Sequence, residues 1–395
     1  MKELRILSPL MIYLFFAYAN LMIFASYMPV YYQHKGLSET DIGWLLAVGP
    51  FATIFAQPIW GFLSDKYKSY KKMILWSLSG AVLVSFIVFS VNTFWAFMLS
   101  VFLIFLFIPP LTALGDSLAQ KTAAERNISF GQLRMWGSLG FGICTLIVGF
   151  FLSKYGIQYV MVPYWILAAL LCAAALSLKD IKSTNKPVTL FTALQLKNNK
   201  KLMYFLAIIM LVSISHRAND SFLGIYIISL GGDESLIGSA WFVGVISETI
   251  ILATSAWWFR RFHPLTFITI AAALYSMRWF FMASITEPGY ILLFQAFHGV
   301  TFGLFYICAF HFVTKLVPEE IQATGHVLFI TVFFGVSGII GSLFGGWMIE
   351  SFGHSPLYQY LGISSIIGVV CLVGYRKWLD RLVENEDIER NGAST

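Results

Sequence analysis

The chain has 395 residues, 58% of them hydrophobic and only 12% charged, with a mean hydropathy of +0.75. So apolar a composition excludes an ordinary soluble domain and implies a chain that crosses a bilayer many times. The formal net charge of +6 does not call for nucleic acid. The bases sit in short connections beside apolar runs, where they meet anionic lipid, and no basic surface interleaved with aromatics accompanies them.

A bilayer core takes about 20 apolar residues per helix. Twelve such stretches follow one another, at 10–31, 42–63, 73–92, 94–115, 131–153, 158–178, 203–229, 237–257, 264–285, 290–314, 323–347 and 357–376. The first has no small-residue cleavage site and leads straight into further spans, so it reads as helix 1 and not as a signal peptide. The expected fold is an all-alpha membrane protein of twelve transmembrane helices in two six-helix bundles. With the N-terminus in the cytoplasm, Lys66, Lys68, Lys71, Lys72, Lys121, Arg126, Arg260, Arg261 and Lys315 fall inside, while the outward loops hold only Lys35 and Lys154. Lysine and arginine in short loops resist translocation, which puts both termini in the cytoplasm and the chain in the cell's inner (plasma) membrane.

The longest polar connection divides the chain into a bundle at 1–178, a cytoplasmic linker at 179–202, a second bundle at 203–378 and a tail at 379–395. Within the linker, Leu190, Phe191, Leu194 and Leu196 fit one face of a short surface helix. The acidic and basic tail reads as a segment that frays into solvent. Cys144, Cys172, Cys308 and Cys371 all lie in spans without metal-ligand spacing and read as small apolar packing residues. No metal site, cofactor or catalytic motif is expected, and the chain does not read as an enzyme.

At the junction of helices 2 and 3 stands Gln57-Pro58-x-x-Gly61-x-x-Ser64-Asp65-Lys66, followed by Lys72. Gly61 permits close helix approach, and Asp65 can pair with nearby bases or with a neighbouring helix end, so Gly61, Asp65, Lys66 and Lys72 form a candidate conformational latch. Next come six ionisable residues inside apolar stretches: Asp116, Arg134, Arg217, Asp220, Glu248 and Arg278. Each costs roughly 2.5 to 3.5 kcal/mol in hydrocarbon on insertion scales, which implies a wet or internally paired interior.

Asp116 ends helix 4 and Arg134 opens helix 5, eighteen residues later, so acid and base come to the same depth. They read either as a structural tie or as groups that grip a polar solute. Gly137 and Gly140 leave room for close packing beside them. Helix 7 carries His216, Arg217, Asn219 and Asp220, where the spacings of three and four let Asp220 approach both bases. Glu248 stands alone in helix 8 as a candidate for solute contact or proton coupling. Arg278 in helix 9 is the expected partner of Glu248 or Asp220. Gln295, His298 and Thr301 share a face of helix 10, and His298 is suited to hydrogen bonding or protonation.

These residues resemble the major facilitator superfamily, in its branch of lactose permease and phenylpropionate permease-like transporters. Gln57 to Lys72 resembles the helix 2–3 signature. Asp116 with Phe130 to Ser138 looks like the acid and arginine that bind sugar, and Glu248 resembles the helix 8 sugar-binding acid. Arg278 and His298 fall where the family places its helix 9 arginine and helix 10 histidine. Departures stand beside the matches: Thr301 replaces the proton-carrying glutamate, Gln295 a lysine, Phe141 the sugar-stacking tryptophan, and Ile251 an asparagine.

The resemblance implies alternating access by two rocking halves around a central site. Asp116, Arg134, Phe141, Glu248, Arg278 and His298 are the expected substrate-binding residues, with Trp136 as a further apolar cover. Asp220 and Glu248 are the expected proton carriers, and His216, Arg217, Asn219, Gln295 and Thr301 form a polar network. The implied activity is proton-coupled uptake of a small organic solute, with a sugar or glycoside slightly favoured, by a monomer whose other partner is membrane lipid. Uptake of an aromatic carboxylic acid, then efflux of drugs or metabolites, then a membrane receptor or scaffold, remain as alternatives.

Overall fold

The computed structural model describes residues 2–180, 196–258 and 263–392. Twelve of its helices are long and apolar enough to cross a membrane. They are α1 Leu7–His34, α2 Glu39–Tyr67, α3 Tyr70–Ser90, α4 Phe94–Arg126, α5 Phe130–Tyr155, α6 Ile157–Ser177, α7 Lys200–Ser229, α8 Glu234–Ser255, α9 Pro264–Ala283, α10 Tyr290–Leu316, α11 Thr324–Phe352 and α12 His354–Leu382. A helix satisfies every backbone donor and acceptor within itself, which hydrocarbon demands. Each predicted stretch matches one of these helices, overrunning its ends by at most two residues. Large apolar side chains such as Leu83, Trp95 and Val370 stay exposed, as lipid-facing residues must.

Helix α4 reaches Arg126, beyond its apolar part, and α12 continues as helix to Gly392. The tail after Asp380 is therefore helical as far as Gly392, where a fraying segment was expected. Glutamate and arginine, most of its charged residues, are good helix formers. The expected surface helix around Leu190, Phe191 and Leu194 lies outside the described residues, as do Arg260 and Arg261.

Local chemistry sets the helix ends and breaks. Ser38 and Ser69 cap α2 and α3 by accepting from the N–H groups of Asp41 and Lys72. Pro110 has no N–H to offer the Leu106 carbonyl four residues back, and α4 is interrupted there. The Trp60 indole N–H, 2.8 Å away, satisfies that carbonyl instead. Three short π-helical segments interrupt the spans: Ile23–Tyr27 in α1, Gly299–Gly303 in α10 and Thr331–Val336 in α11. Such segments insert slack into a helix and collect at functional sites.

Residues 7–177 and 200–382 meet along two main seams, α2 against α11 and α5 against α8, with smaller contacts of α1 on α7 and α8. At one end of the bundle both seams are closed backbone to backbone. A Cβ on Gly346 would lie 2.3 Å from the Glu39 carbonyl oxygen, and one on Gly149 would lie 2.6 Å from that of Glu234. Hydrogen bonds across the seams reinforce this closed end, from the Thr40 N–H to Glu350 and from the Ser153 hydroxyl to Asp233. Burial opposes ionisation of Asp233, yet the hydrogen bonds from Ser153, Ser235 and the Leu236 N–H hold its carboxyl below the usual range.

The opposite end differs. A Cβ on Gly61 would meet no heavy atom within 4 Å, so the close approach expected of this glycine is not made in this conformation. Nothing packs on Gly61 here, so its lack of a side chain is not used. Around the same junction, the end of α6 is what docks. The Asp180 carboxylate accepts from the Ser69 hydroxyl at 2.5 Å and the Lys71 N–H at 3.2 Å, while Lys71 Nζ donates to the Leu176 and Leu178 carbonyls. A lysine on the last carbonyls of a helix satisfies acceptors that have no partner within it. Of the residues read as a latch, Lys66 lies over the Tyr67 ring, and Lys72 gives its backbone N–H to Ser69.

Candidate functional site

Between the halves, α1, α4 and α5 build one wall of a cleft. Arg134 Nε lies 3.4 Å from Asp116 Oδ1, an ion pair with both side chains about 30% exposed. Tyr18 completes the group: its hydroxyl donates to Asp116 Oδ2 at 2.6 Å, and its ring lies 3.8 Å beneath the Arg134 guanidinium. Gly137 makes this stacking possible, because a Cβ there would meet the Tyr18 ring at 2.5 Å and Arg134 NH1 at 2.8 Å. Gly140 in turn packs α5 against the Phe15 carbonyl of α1. Asp116 Oδ1, the oxygen that faces Arg134 Nε, is buried and accepts no hydrogen bond among the described residues.

Glu248 of α8 stands on the opposing wall. Its carboxylate has no hydrogen bond or ion pair among the described residues. It lies in the electrostatic field of Arg134 across the cleft and of Asp220 on its own side. Gly303 of α10 lies beside it: a Cβ there would sit 3.5 Å from the Glu248 Cγ, an ordinary contact. Toward the closed end, Phe141 of α5 meets Trp241 of α8 edge to face, with ring centres 5.7 Å apart. This aromatic pair joins the halves two helical turns from Arg134 and from Glu248, and roofs the polar part of the cleft.

Helix α7 brings four polar residues together. Asp220 Oδ2 lies 3.2 Å from both His216 Nε2 and Arg217 NH1, while Asn219 Nδ2 reaches Oδ1 at 3.4 Å. The Tyr358 hydroxyl fixes Asn219 from α12 at 3.1 Å. Arg217 is 26% exposed and borders the cleft, whereas His216 is only 2% exposed.

Arg278 does not pair with an acid as expected. It donates to Gln295 Oε1 and, at 3.2 Å, to Thr301 Oγ1, and it lies over the Trp279 ring. The backbone explains the choice. Helix α10 crosses α8 so closely that the Ser247 hydroxyl takes the Gly299 N–H, and the π-helical turn from Gly299 sets Thr301 beside Arg278. Arg278 is 2% exposed and His298 7%, with the His298 ring against His216 and Phe302. Both lie behind the α7 cluster, without direct access to the cleft in this conformation. Sequence reasoning passed over Tyr18, Trp241, Phe302 and Asp180. Among the described residues no group of three side chains is arranged to hold a metal ion.

The sequence profile of the MFS_1 like family matches residues 7–360. The chain belongs to this family. It is a major facilitator superfamily transporter, a secondary carrier of a small organic solute that works by alternating access between two helix bundles. The maltose permease of Geobacillus stearothermophilus is 28% identical to the transporter over 364 residues, covering 91% of each chain. A probable 3-phenylpropionic acid transporter of Escherichia coli (strain K12) is 26% identical, over 87% of this chain and 90% of its own. The crystal structure of the nucleoside transporter NupG superimposes with a TM-score of 0.83 at 18% identity, over 93% of this chain and 98% of that one. That likeness concerns the fold alone.

Proposed function

We propose that the chain is a proton-coupled uptake carrier for a sugar or glycoside, acting as a monomer in the plasma membrane. The observation that carries this reading is the pairing in the cleft. Arg134 is already neutralised by Asp116, and the acid facing it, Glu248, has no partner. A sugar presents neighbouring hydroxyls that donate to a carboxylate and accept from a guanidinium, so it bridges the two walls without adding charge. An organic anion must instead displace Asp116 from Arg134 and approach the Glu248 carboxylate, and like charges in a low-dielectric site repel strongly. The relative named a maltose permease supports the sugar reading. Aromatic acid uptake, which the other bacterial relative's name favours, is the second reading, with Phe141 and Trp241 as the apolar surface.

The roles follow from position. Asp116, Arg134 and Glu248 grip the solute, Phe141 covers an apolar face of it, and Arg278 and His298 act from behind through the α7 cluster. Asp220 and Glu248 are the two candidates for the coupling acid, and His216, Arg217, Asn219, Gln295 and Thr301 hold the network in place. Gly61, Asp65, Lys66 and Lys72 latch the open end when the halves rock together. The positive-inside bias puts both termini and that open end in the cytoplasm, with bundles at 1–178 and 203–378, so the conformation described here faces inward. Thermal stability of the purified protein against a ligand panel tests the substrate class, because a ligand that binds only the folded state raises the unfolding temperature. Maltose is expected to stabilise the protein in a saturable way and 3-phenylpropionate to leave it unchanged. The reverse result would replace the sugar reading with the acid.

A further inference from the structure

His216 and Asp220 stand out because both bases beside Asp220 converge on a single oxygen. His216 Nε2 and Arg217 NH1 each lie 3.2 Å from Oδ2. The imidazole is almost fully enclosed, and its second nitrogen, Nδ1, is buried with no hydrogen-bond partner among the described residues; Arg217 Nε is likewise buried and unpartnered among them. Leaving such groups unsatisfied costs about 1–3 kcal/mol each. A static structural tie gives no reason to retain them. A group that gains and loses a proton does, since its hydrogen-bonding needs differ between its two states.

The surroundings of the ring are also unusual. His216 stacks on Phe302, with centres 4.6 Å apart and planes within 12°, and meets Phe333 at 5.9 Å. Phe302 belongs to the π-helical segment of α10 and Phe333 to that of α11. Arg217 also leans on α11, 5.8 Å from the Phe334 ring and against Gly338. Thus the two irregular segments of the second bundle pack on the two bases that compete for Asp220. Irregular turns of this kind change register at low cost, whereas a regular helix moves as a rod.

We infer that His216 and Asp220 share the coupling proton as a dyad, and that the π-helical segments of α10 and α11 convert its arrival into movement of those helices. This rests on the proton-coupled reading given above and assigns the proton within it. When the dyad takes up a proton from the cleft, either His216 becomes an imidazolium or Asp220 becomes neutral. The competition for Oδ2 shifts in both cases. A neutral Asp220 releases Arg217 from its ion pair, and an imidazolium draws Oδ2 toward itself and strengthens the contact with the Phe302 ring face. Proton loss reverses these steps, and no other reactant is consumed.

The other titratable and charged groups around the dyad have identifiable tasks. From α9, Arg278 is bound to Gln295 and Thr301, and Tyr275 lies against the His216 ring. From α10 comes His298, 5.6 Å from His216, and from α12 comes Tyr358, which donates to Asn219. Glu248 acts on Asp220 from α8 without contact and faces Arg134. The π-helical segment of α11 contains no titratable residue, and Tyr27 of α1 is committed to the Thr145 carbonyl. Glu248 is thereby assigned to the solute and the dyad to the proton.

A test without solute separates these assignments. Spin labels on Gln158 and Phe352, in a background lacking the four native cysteines, report the separation of the halves at the closed end as pH is varied. The wild type is expected to show a distance transition between about pH 5 and 8. His216→Gln and Asp220→Asn are each expected to abolish it, and Glu248→Gln to preserve it. Phe302→Leu keeps the bulk but removes the ring face, and is expected to move the midpoint down by roughly half a unit or more. If Glu248→Gln abolishes the transition while both dyad variants retain it, the dyad is wrong and proton coupling stands. A wild type with no transition overturns both. Should His216→Gln fail to fold, an unmoved midpoint in Phe302→Leu overturns the dyad by itself.

Discussion

Leucine at both Gly149 and Gly346 will hold the closed end of the bundle apart and remove most transport. Each position faces a carbonyl of the opposite half, Glu234 for Gly149 and Glu39 for Gly346, at distances of 2.6 and 2.3 Å from a Cβ. No side-chain rotamer relieves a clash with backbone, so the extra atoms fit only if the seams separate. Overpacking of this kind costs about 1–3 kcal/mol per site. Two sites, one on each seam, then disfavour the closed arrangement by on the order of thirtyfold or more. Alternating access needs that arrangement once in every cycle; at Gly346 the nearest atoms all belong to the opposite half, while at Gly149 the Tyr27 hydroxyl of its own half, 2.8 Å from a Cβ, must also give way. Distances between labels on Gln158 and Phe352 should therefore lengthen, with helical content unchanged and solute counterflow reduced at least about tenfold. Unchanged distances with normal counterflow would show that this end does not need to close so tightly.

The second large effect is expected at Arg134. Arg134→Lys keeps the positive charge but loses the planar fork, which at once lies over the Tyr18 ring, meets Asp116 and approaches Ser138 at 3.5 Å. Charge-assisted hydrogen bonds contribute about 1.5–3 kcal/mol, so binding of the sugar that passes the stability panel should weaken roughly ten- to hundredfold. Tyr18→Phe removes only the hydroxyl on Asp116 and retains the ring under the guanidinium, so its loss should be smaller than that of Arg134→Lys. Equilibrium binding to the purified protein measures both. Equal affinities in wild type and Arg134→Lys would take this residue out of the solute site.

The helices were legible because a bilayer makes apolar length diagnostic: Leu7 to His34 or Thr324 to Phe352 can hardly be anything else. The charged positions were legible for the same reason, since Asp116 or Glu248 in such a run stands out against its neighbours. Their partners were much less so. Tyr18 lies 98 residues from Asp116 and is one of 18 tyrosines, and Trp241 one of 12 tryptophans, so neither carries a local signal. Arg278 was expected to seek an acid, but the direction of a side chain depends on how its helix is rotated, and the π-helical turn at Gly299 gave it Thr301 and Gln295 instead. Gly61 shows a related difficulty. A glycine that permits contact in one conformation stands free in another, and a sequence does not say which is in view.

The proposed cargo of the cleft between Arg134 and Glu248 is a sugar driven by protons. Flux into proteoliposomes containing the purified protein, with a panel of sugars and aromatic acids, measured with and without an imposed inward proton gradient, addresses it most directly. Saturable accumulation of a sugar above its equilibrium level, only when the gradient is present, is the predicted result. Saturable flux that the gradient accelerates outward, or flux of aromatic acids alone, would contradict it.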